Sequence, residues 1–126
     1  MTEQDKRLLL KDLSARLPYG VKIFDIPANV DGELYLVSTT DMVEYEPVDE
    51  TDDDNWAQTL YNIKPYLRPI SSMTKEEERE YISVARGMGL DNPSVLVDWL
   101  IAHHLDFRGL IEKGLAIEAK PEMYKI

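Results

Sequence analysis

The sequence predicts an α+β fold: an N-terminal helix, then a small bent antiparallel sheet or SH3-like barrel, then a C-terminal helical lobe. Three observations predict it. Leucines recur at helical spacing in the first twenty residues, short β-branched and aromatic runs divided by turn formers occupy residues 21–72, and a capping signal at Thr74 opens a second helical pattern. With 126 residues, 44% of them apolar, the chain fills one core and not two. A single domain is therefore read, with 1–20 as N-terminal helix, 21–72 as β lobe and 73–126 as helical lobe.

Thr2-Glu3-Gln4-Asp5 carries a capping signal, and Leu9, Leu10, Leu13 and Leu17 follow at helical spacing, with Lys6, Lys11 and Arg16 among the polar positions. This predicts a helix from Glu3 to Arg16, ended by Pro18 and Gly20. Its ordinary role is to lay one apolar stripe on a sheet. Val21 to Ile26 suits a first strand and Glu33 to Thr39 a second, with Asp31-Gly32 supplying positive φ at the end of the intervening turn. Met42 to Glu46 reads as a third strand stopped by Pro47, and Gln58 to Tyr61 as a short fourth. Pro65 and Pro69 push Lys64 and Arg68 out of the helical region, so Ile63 to Thr74 reads as a stiff hinge, with a turn at Ile63 to Leu67 and a last strand near Pro69-Ile70. Strands this short must close on themselves or cover their edges, which favours the barrel.

Thr74-Lys75-Glu76-Glu77 fits a capping box, and Glu76, Glu77 and Glu78 complement the dipole of the helix it starts. Tyr81, Val84, Ala85 and Met88 share one face of that helix, and Gly87 or Gly89 ends it. Asp91 or Asn92 caps the next, with Pro93 in its first turn. Val95, Leu96, Val97, Trp99, Leu100 and Ile101 make it apolar on nearly every side, so it is read as the most buried element. His103 and His104 close it. Adjacent helical residues diverge by about 100°, so the two imidazoles do not share a metal, and capping is their expected role. Leu110 to Lys113 reads as a short turn between Gly109 and Gly114, and Leu115 to Ala119 as a final strand.

The net charge is −10, and nearly all of it belongs to the β lobe. Residues 1–20 carry four basic and three acidic groups, residues 21–62 one and eleven, and residues 63–126 nine and ten. A lobe so acidic repels a phosphate backbone, which excludes direct nucleic-acid binding through it. Asp41 to Asp54 holds eight acidic residues and no basic one. It lacks the glycine and terminal glutamate of a calcium loop and reads as a solvated loop that shields a strand edge. There is no cysteine, hence no disulfide or thiolate chemistry. Neither a signal peptide nor a membrane-spanning apolar run is read, and the cytoplasm is the expected location. No phosphate loop, nucleophile elbow or zinc pattern occurs, so no enzyme activity and no cofactor are expected.

Three blocks carry a resemblance: Lys11 to Val21, Ile63 to Thr74, and Asp98 to Ile111 continuing through Gly114 to Ala119. Together they cover rather under half the chain and resemble a family of short hypothetical proteins from prophages and mobile elements of anaerobic gut bacteria. That family often has asparagine, phenylalanine and tyrosine where this chain has Ile101, Leu105 and Phe107. The resemblance implies an accessory protein that acts by binding another protein. Tyr61, Tyr66 and Leu67 are the candidate anchors and Asp52, Asp53 and Asp54 the candidate charged contacts. The alternative is an anti-defence or regulatory protein whose acidic lobe imitates nucleic acid; a small metal-dependent enzyme is third.

Overall fold

A computed structural model describes residues 1–38, 41–48, 55–89 and 92–124, without the side chains of 88 and 89. The chain runs α1 (Glu3–Arg16), β1 (Lys22–Asp25), β2 (Val30–Val37), β3 (Met42–Pro47), β4 (Trp56–Thr59), β5 (Ile63–Leu67), α2 (Lys75–Val84), α3 (Pro93–Ala102) and β6 (Ile117–Glu118). The strands form one sheet in the order β4-β3-β2-β1-β5-β6, antiparallel throughout except for the parallel β5–β6 pair. The α+β fold stands as expected, but the sheet is open and does not close into an SH3-like barrel. Its two ends are tied to different partners: among the described residues β4 pairs with β3 alone, while β5 turns away to pair with β6 from the far end of the chain.

Pro65 shows why the expected turn at Ile63 to Leu67 is a strand. Ile26 N–H bonds to the Asn62 carbonyl at 2.9 Å, so the alternation of the antiparallel ladder makes Ile23↔Pro65 a pair without mutual hydrogen bonds. The proline nitrogen therefore points away from β1, toward the side where β6 has not yet begun, and no donor is missed. One residue on, the two strands part. The Tyr124 hydroxyl sits between them, accepting from Lys22 N–H at 2.7 Å and donating to the Tyr66 carbonyl at 2.8 Å. A side chain from the end of the chain thus completes the ladder at the point where β5 changes partners. Pro69-Ile70 is no strand either; Ile70–Ser72 is a single 3₁₀ turn.

The first hairpin also turns earlier than the sequence suggests. Asn29, at φ 56°, supplies the left-handed residue, and Gly32 lies inside β2. Its glycine is needed for close approach: a Cβ there would stand 2.3 Å from the Tyr45 ring and 2.8 Å from the Glu46 carbonyl oxygen. Tyr45 in turn donates to buried Asp25 at 2.6 Å, and burial together with that carboxylate pushes its phenol pKa up.

One sheet face is the core. Val21, Ile23, Leu34, Val43, Tyr45, Ile63 and Leu67 pack there against Leu9 and Leu13 of α1 and against Leu110, Leu115 and Ala116. Two charged residues of α1 are buried as well. Asp12 and Arg16 are wholly enclosed; the Asp12 carboxylate accepts from Arg16 Nε at 2.8 Å and Arg108 Nε at 3.0 Å, and Arg16 Nη2 donates to the Leu105 carbonyl at 2.7 Å. These bonds clip the C-terminal segment onto α1.

The capping box at Thr74 forms as expected, with the Glu77 amide donating to the Thr74 hydroxyl at 3.1 Å and the Thr74 amide to the Glu77 carboxylate at 2.9 Å. Thr74→Ala should lower stability by about 1 kcal/mol, read from a urea midpoint. After Val84 the chain passes through a π-helical turn, Ala85–Gly89. Asn92 occupies the N-cap of α3, though its side chain does not cap it, and Asp91 lies outside the described residues. α3 is less buried than its composition implies: Trp99 and Ile101 are buried, whereas Val95, Leu96, Val97 and Leu100 are only half-covered. Among the described residues α3 packs against α2, the π-helical turn and α1.

His103 ends α3, donating from Nδ1 to the Trp99 carbonyl at 2.8 Å, and His104 turns the chain at φ 61°. The His104 ring is buried and stacks on Tyr124 at 3.7 Å between centroids. Burial, then Arg16, Arg68, His103 and Lys22, lower its pKa from 6.5 to about 4. A depressed histidine pKa favours the neutral form in the folded state. Its stabilisation is complete above pH 6.5 and is lost as pH falls toward 4, on the order of 2 to 3 kcal/mol. Glu77, held at about 2 first by Arg68, adds a second loss as pH falls from 4.5 to 2. His104→Asn keeps a residue tolerant of positive φ and should flatten the stability profile between pH 6.5 and 4. An unchanged slope would contradict the assignment.

Candidate functional site

The strongest exposed feature is the sheet face opposite the core. Strand alternation puts Lys22 and Phe24 of β1, Asp31 and Glu33 of β2, Glu44 and Glu46 of β3, and Lys64 and Tyr66 of β5 on it. Among the described residues no helix packs over its β2–β3 end.

A bulge gives that end its apolar contact surface. Leu34 pairs with Tyr45 and Leu36 with Glu44, so two residues of β2 advance against one of β3 and Tyr35 is the extra one. Tyr35 and Leu36 then both face outward, 63% and 42% exposed, while Leu34 before them and Val37 after them turn to the core. Carboxylates stand beside the pair. Glu33 and Glu46 stand directly opposite on neighbouring strands, an arrangement that costs stability unless a cation intervenes, and Lys22 lies opposite Glu33 on the other side. Glu44 lies directly across from Leu36.

At the β1–β5 end the same face is closed. The Tyr66 hydroxyl donates to Asp31, its ring meets Phe24 edge-on at 6.5 Å, and only 7% of the residue is exposed. Burial and the Asp31 carboxylate raise its phenol pKa. Tyr66 is thus a structural tyrosine.

The other sequence candidates do not converge with it. Leu67 is wholly buried in the core and presents nothing to a partner. Tyr61 is 48% exposed but stands beside α1, where the Lys6 ammonium lies 5.1 Å from its ring centre. Asp52, Asp53 and Asp54 lie outside the described residues, as do Asp49 and Glu50. Tyr35 and Leu36 carry the exposed surface that the hinge was expected to supply. The signal for them was the unbroken run Leu34-Tyr35-Leu36-Val37, which departs from the alternation of a half-buried strand and marks a bulge.

Comparison with family models, with characterised proteins and with solved structures finds no match. Among the described residues no three histidine or carboxylate side chains come together as a metal-ion site, and no helix is long and apolar enough to cross a membrane. The exposed sheet face presents an aromatic ring, a leucine side chain and three carboxylates beside them.

Proposed function

We propose that this protein is a cytoplasmic accessory factor that works by holding a partner protein on the open sheet face, and that it catalyses no reaction. What supports the reading is the outward placement of Tyr35 and Leu36 by the β2 bulge, with Glu33, Glu44 and Glu46 on the same face beside them. Exposed aromatic anchors with a charged rim fit the anatomy of protein interfaces. The partner's matching surface carries an apolar recess edged with lysine or arginine, since a cation placed between Glu33 and Glu46 relieves their repulsion. Resemblance to mobile-element proteins agrees with an accessory role.

The test is affinity capture from the source cells followed by measured binding of the captured partner. Tyr35→Ser with Leu36→Ser leaves the buried core untouched and should lower stability by no more than about 1 kcal/mol. Binding should weaken roughly thirtyfold or more, as for loss of an aromatic hot spot. Glu33→Gln with Glu46→Gln should act mainly through the association rate and its salt dependence. If the double serine variant binds like the parent while replacement of Asp52, Asp53 and Asp54 by serine abolishes a steeply salt-dependent complex, imitation of nucleic acid is the better reading.

A further inference from the structure

Beyond Ala116 the chain is held to the molecule by a single buried side chain. Leu115 and Ala116 belong to the core, but no residue from Ile117 to Met123 is buried, and the next one that is, Tyr124, is 8% exposed. The backbone of this strap is tied to β5 by the short parallel pairing of β6 and by the Ala119 N–H, which donates to the Leu67 carbonyl at 2.8 Å. Ordering each residue of an extended segment costs conformational entropy, and with so little apolar burial to offset it the strap depends on its anchor. Tyr124 fastens in three ways. Its hydroxyl accepts from Lys22 N–H at 2.7 Å and donates to the Tyr66 carbonyl at 2.8 Å, and its ring lies flat on His104, 3.7 Å between centroids and 10° between planes.

His104 is the half of this contact that stays with the body. Its carbonyl accepts from Arg68 N–H at 2.8 Å, and Asp106 N–H donates to the Arg68 carbonyl at 2.8 Å, so the turn is pinned to the sheet. The ring is 9% exposed, and among the described residues its buried Nδ1 has no hydrogen-bond partner. Protonation places a donor there that nothing nearby accepts. Arg16 of α1, Lys22 of β1, Arg68 after β5 and His103 at the end of α3 all set positive charge against it. The carboxylates of the region are engaged elsewhere: Asp12 by Arg16 and Arg108, Asp106 by the Leu110 and Ile111 amides, and Glu77 by Arg68. The strap presents Tyr124, within the field of Glu33, while its own Glu118, Lys120 and Glu122 are exposed. A charged His104 has to reach water, and the ring stacked over it is Tyr124. We propose that residues 117–124 form a strap latched by Tyr124 on His104, which lifts from the sheet as a unit when His104 takes up a proton and so bares the Tyr66–Leu67 edge of β5. The latch involves neither Tyr35 nor Leu36, so its failure leaves the reading of the open sheet face untouched.

The test is residue-resolved hydrogen exchange of the whole protein between pH 7 and pH 5, corrected for the chemical exchange rate and repeated in low urea. The amides of Ala119 and Lys22 are the probes, one bonded from the strap to β5 and the other to the Tyr124 hydroxyl. At pH 7 both should open at least tenfold more often than the amides of β2 and β3, and low urea should leave their opening constants unaltered, since a small surface is bared. With the strap closed the pKa of His104 is about 4 against 6.5 in water, so opening is flat above pH 6.5 and rises as pH falls toward 4, about tenfold by pH 5. His104→Asn should abolish that rise. Tyr124→Phe keeps the ring on His104 but gives up both hydroxyl bonds, and should raise opening about tenfold at every pH while keeping the acid response. Strap amides as well protected as those of β2 and β3, strap opening that does not change with pH, an acid response that survives His104→Asn, or opening unaffected by Tyr124→Phe would overturn the proposal.

Discussion

Asp12→Ala is expected to lower the unfolding free energy by about 3 to 5 kcal/mol, since it strands a buried guanidinium without its carboxylate. Asp12 has no exposed surface and serves two arginines at once, Arg16 at 2.8 Å and Arg108 at 3.0 Å. Arg16 is equally enclosed, so its charge cannot turn to water when the carboxylate goes. The loss should be felt at a distance in the chain, because Arg16 also holds the Leu105 carbonyl and Phe107 lies under both guanidinium groups, 5.7 Å from Arg16 and 4.5 Å from Arg108. Arg108 is partly exposed, and Arg108→Met should cost much less. Replacing Asp12 and Arg16 together, by alanine and methionine, should recover much of the loss because no buried charge is then left unpaired. Urea denaturation of the three variants measures the difference. A single Asp12→Ala variant within about 1 kcal/mol of the parent would show that water reaches the site.

Trp99→Ala should cost a similar amount, about 3 to 5 kcal/mol, by opening a large cavity between α2 and α3. The ring is 9% exposed, stacks on His103 at 3.9 Å between centroids, and meets Tyr81 at 5.5 Å. Its indole N–H also fixes Glu80. α2 and α3 are joined largely through this ring, so hydrogen exchange in residues 75–89 and 92–104 should quicken more than exchange in β1, β2 and β3. Trp99→Phe keeps most of the apolar burial and gives up one half-exposed hydrogen bond, so about 1 kcal/mol is expected. Red-shifted, easily quenched Trp99 fluorescence in the parent protein would contradict the placement of the ring.

Several elements were legible because their determinants are local. The leucine spacing of residues 9–17, the capping box at Thr74 and the β-branched runs at Val21 and Met42 each state their own conformation, and the helices and strands form there. The candidate site was much less legible. Tyr61, Tyr66 and Leu67 were chosen for neighbouring a pair of prolines, yet the strand that Pro65 joins turns Leu67 to the core and lays Tyr66 against Phe24 and Asp31.

The sequence by itself determined the class of the fold, the boundaries of α1 and the start of α2, and the concentration of negative charge in the β region. Each follows from interactions within a few residues or from composition. Only the tertiary structure decided that the sheet stays open, that Asp12 and Arg16 lie inside, and that Tyr35 and Leu36 face out together. Those outcomes depend on pairings between distant residues: Tyr66 with Ile117, Asp12 with Arg108, and Tyr124 with Lys22. A buried ion pair on a helix and a solvent-facing one have the same i, i+4 spacing, and a bulge is defined by what the neighbouring strand does. Burial is conferred by the partner surface, and no local pattern records which surface that will be.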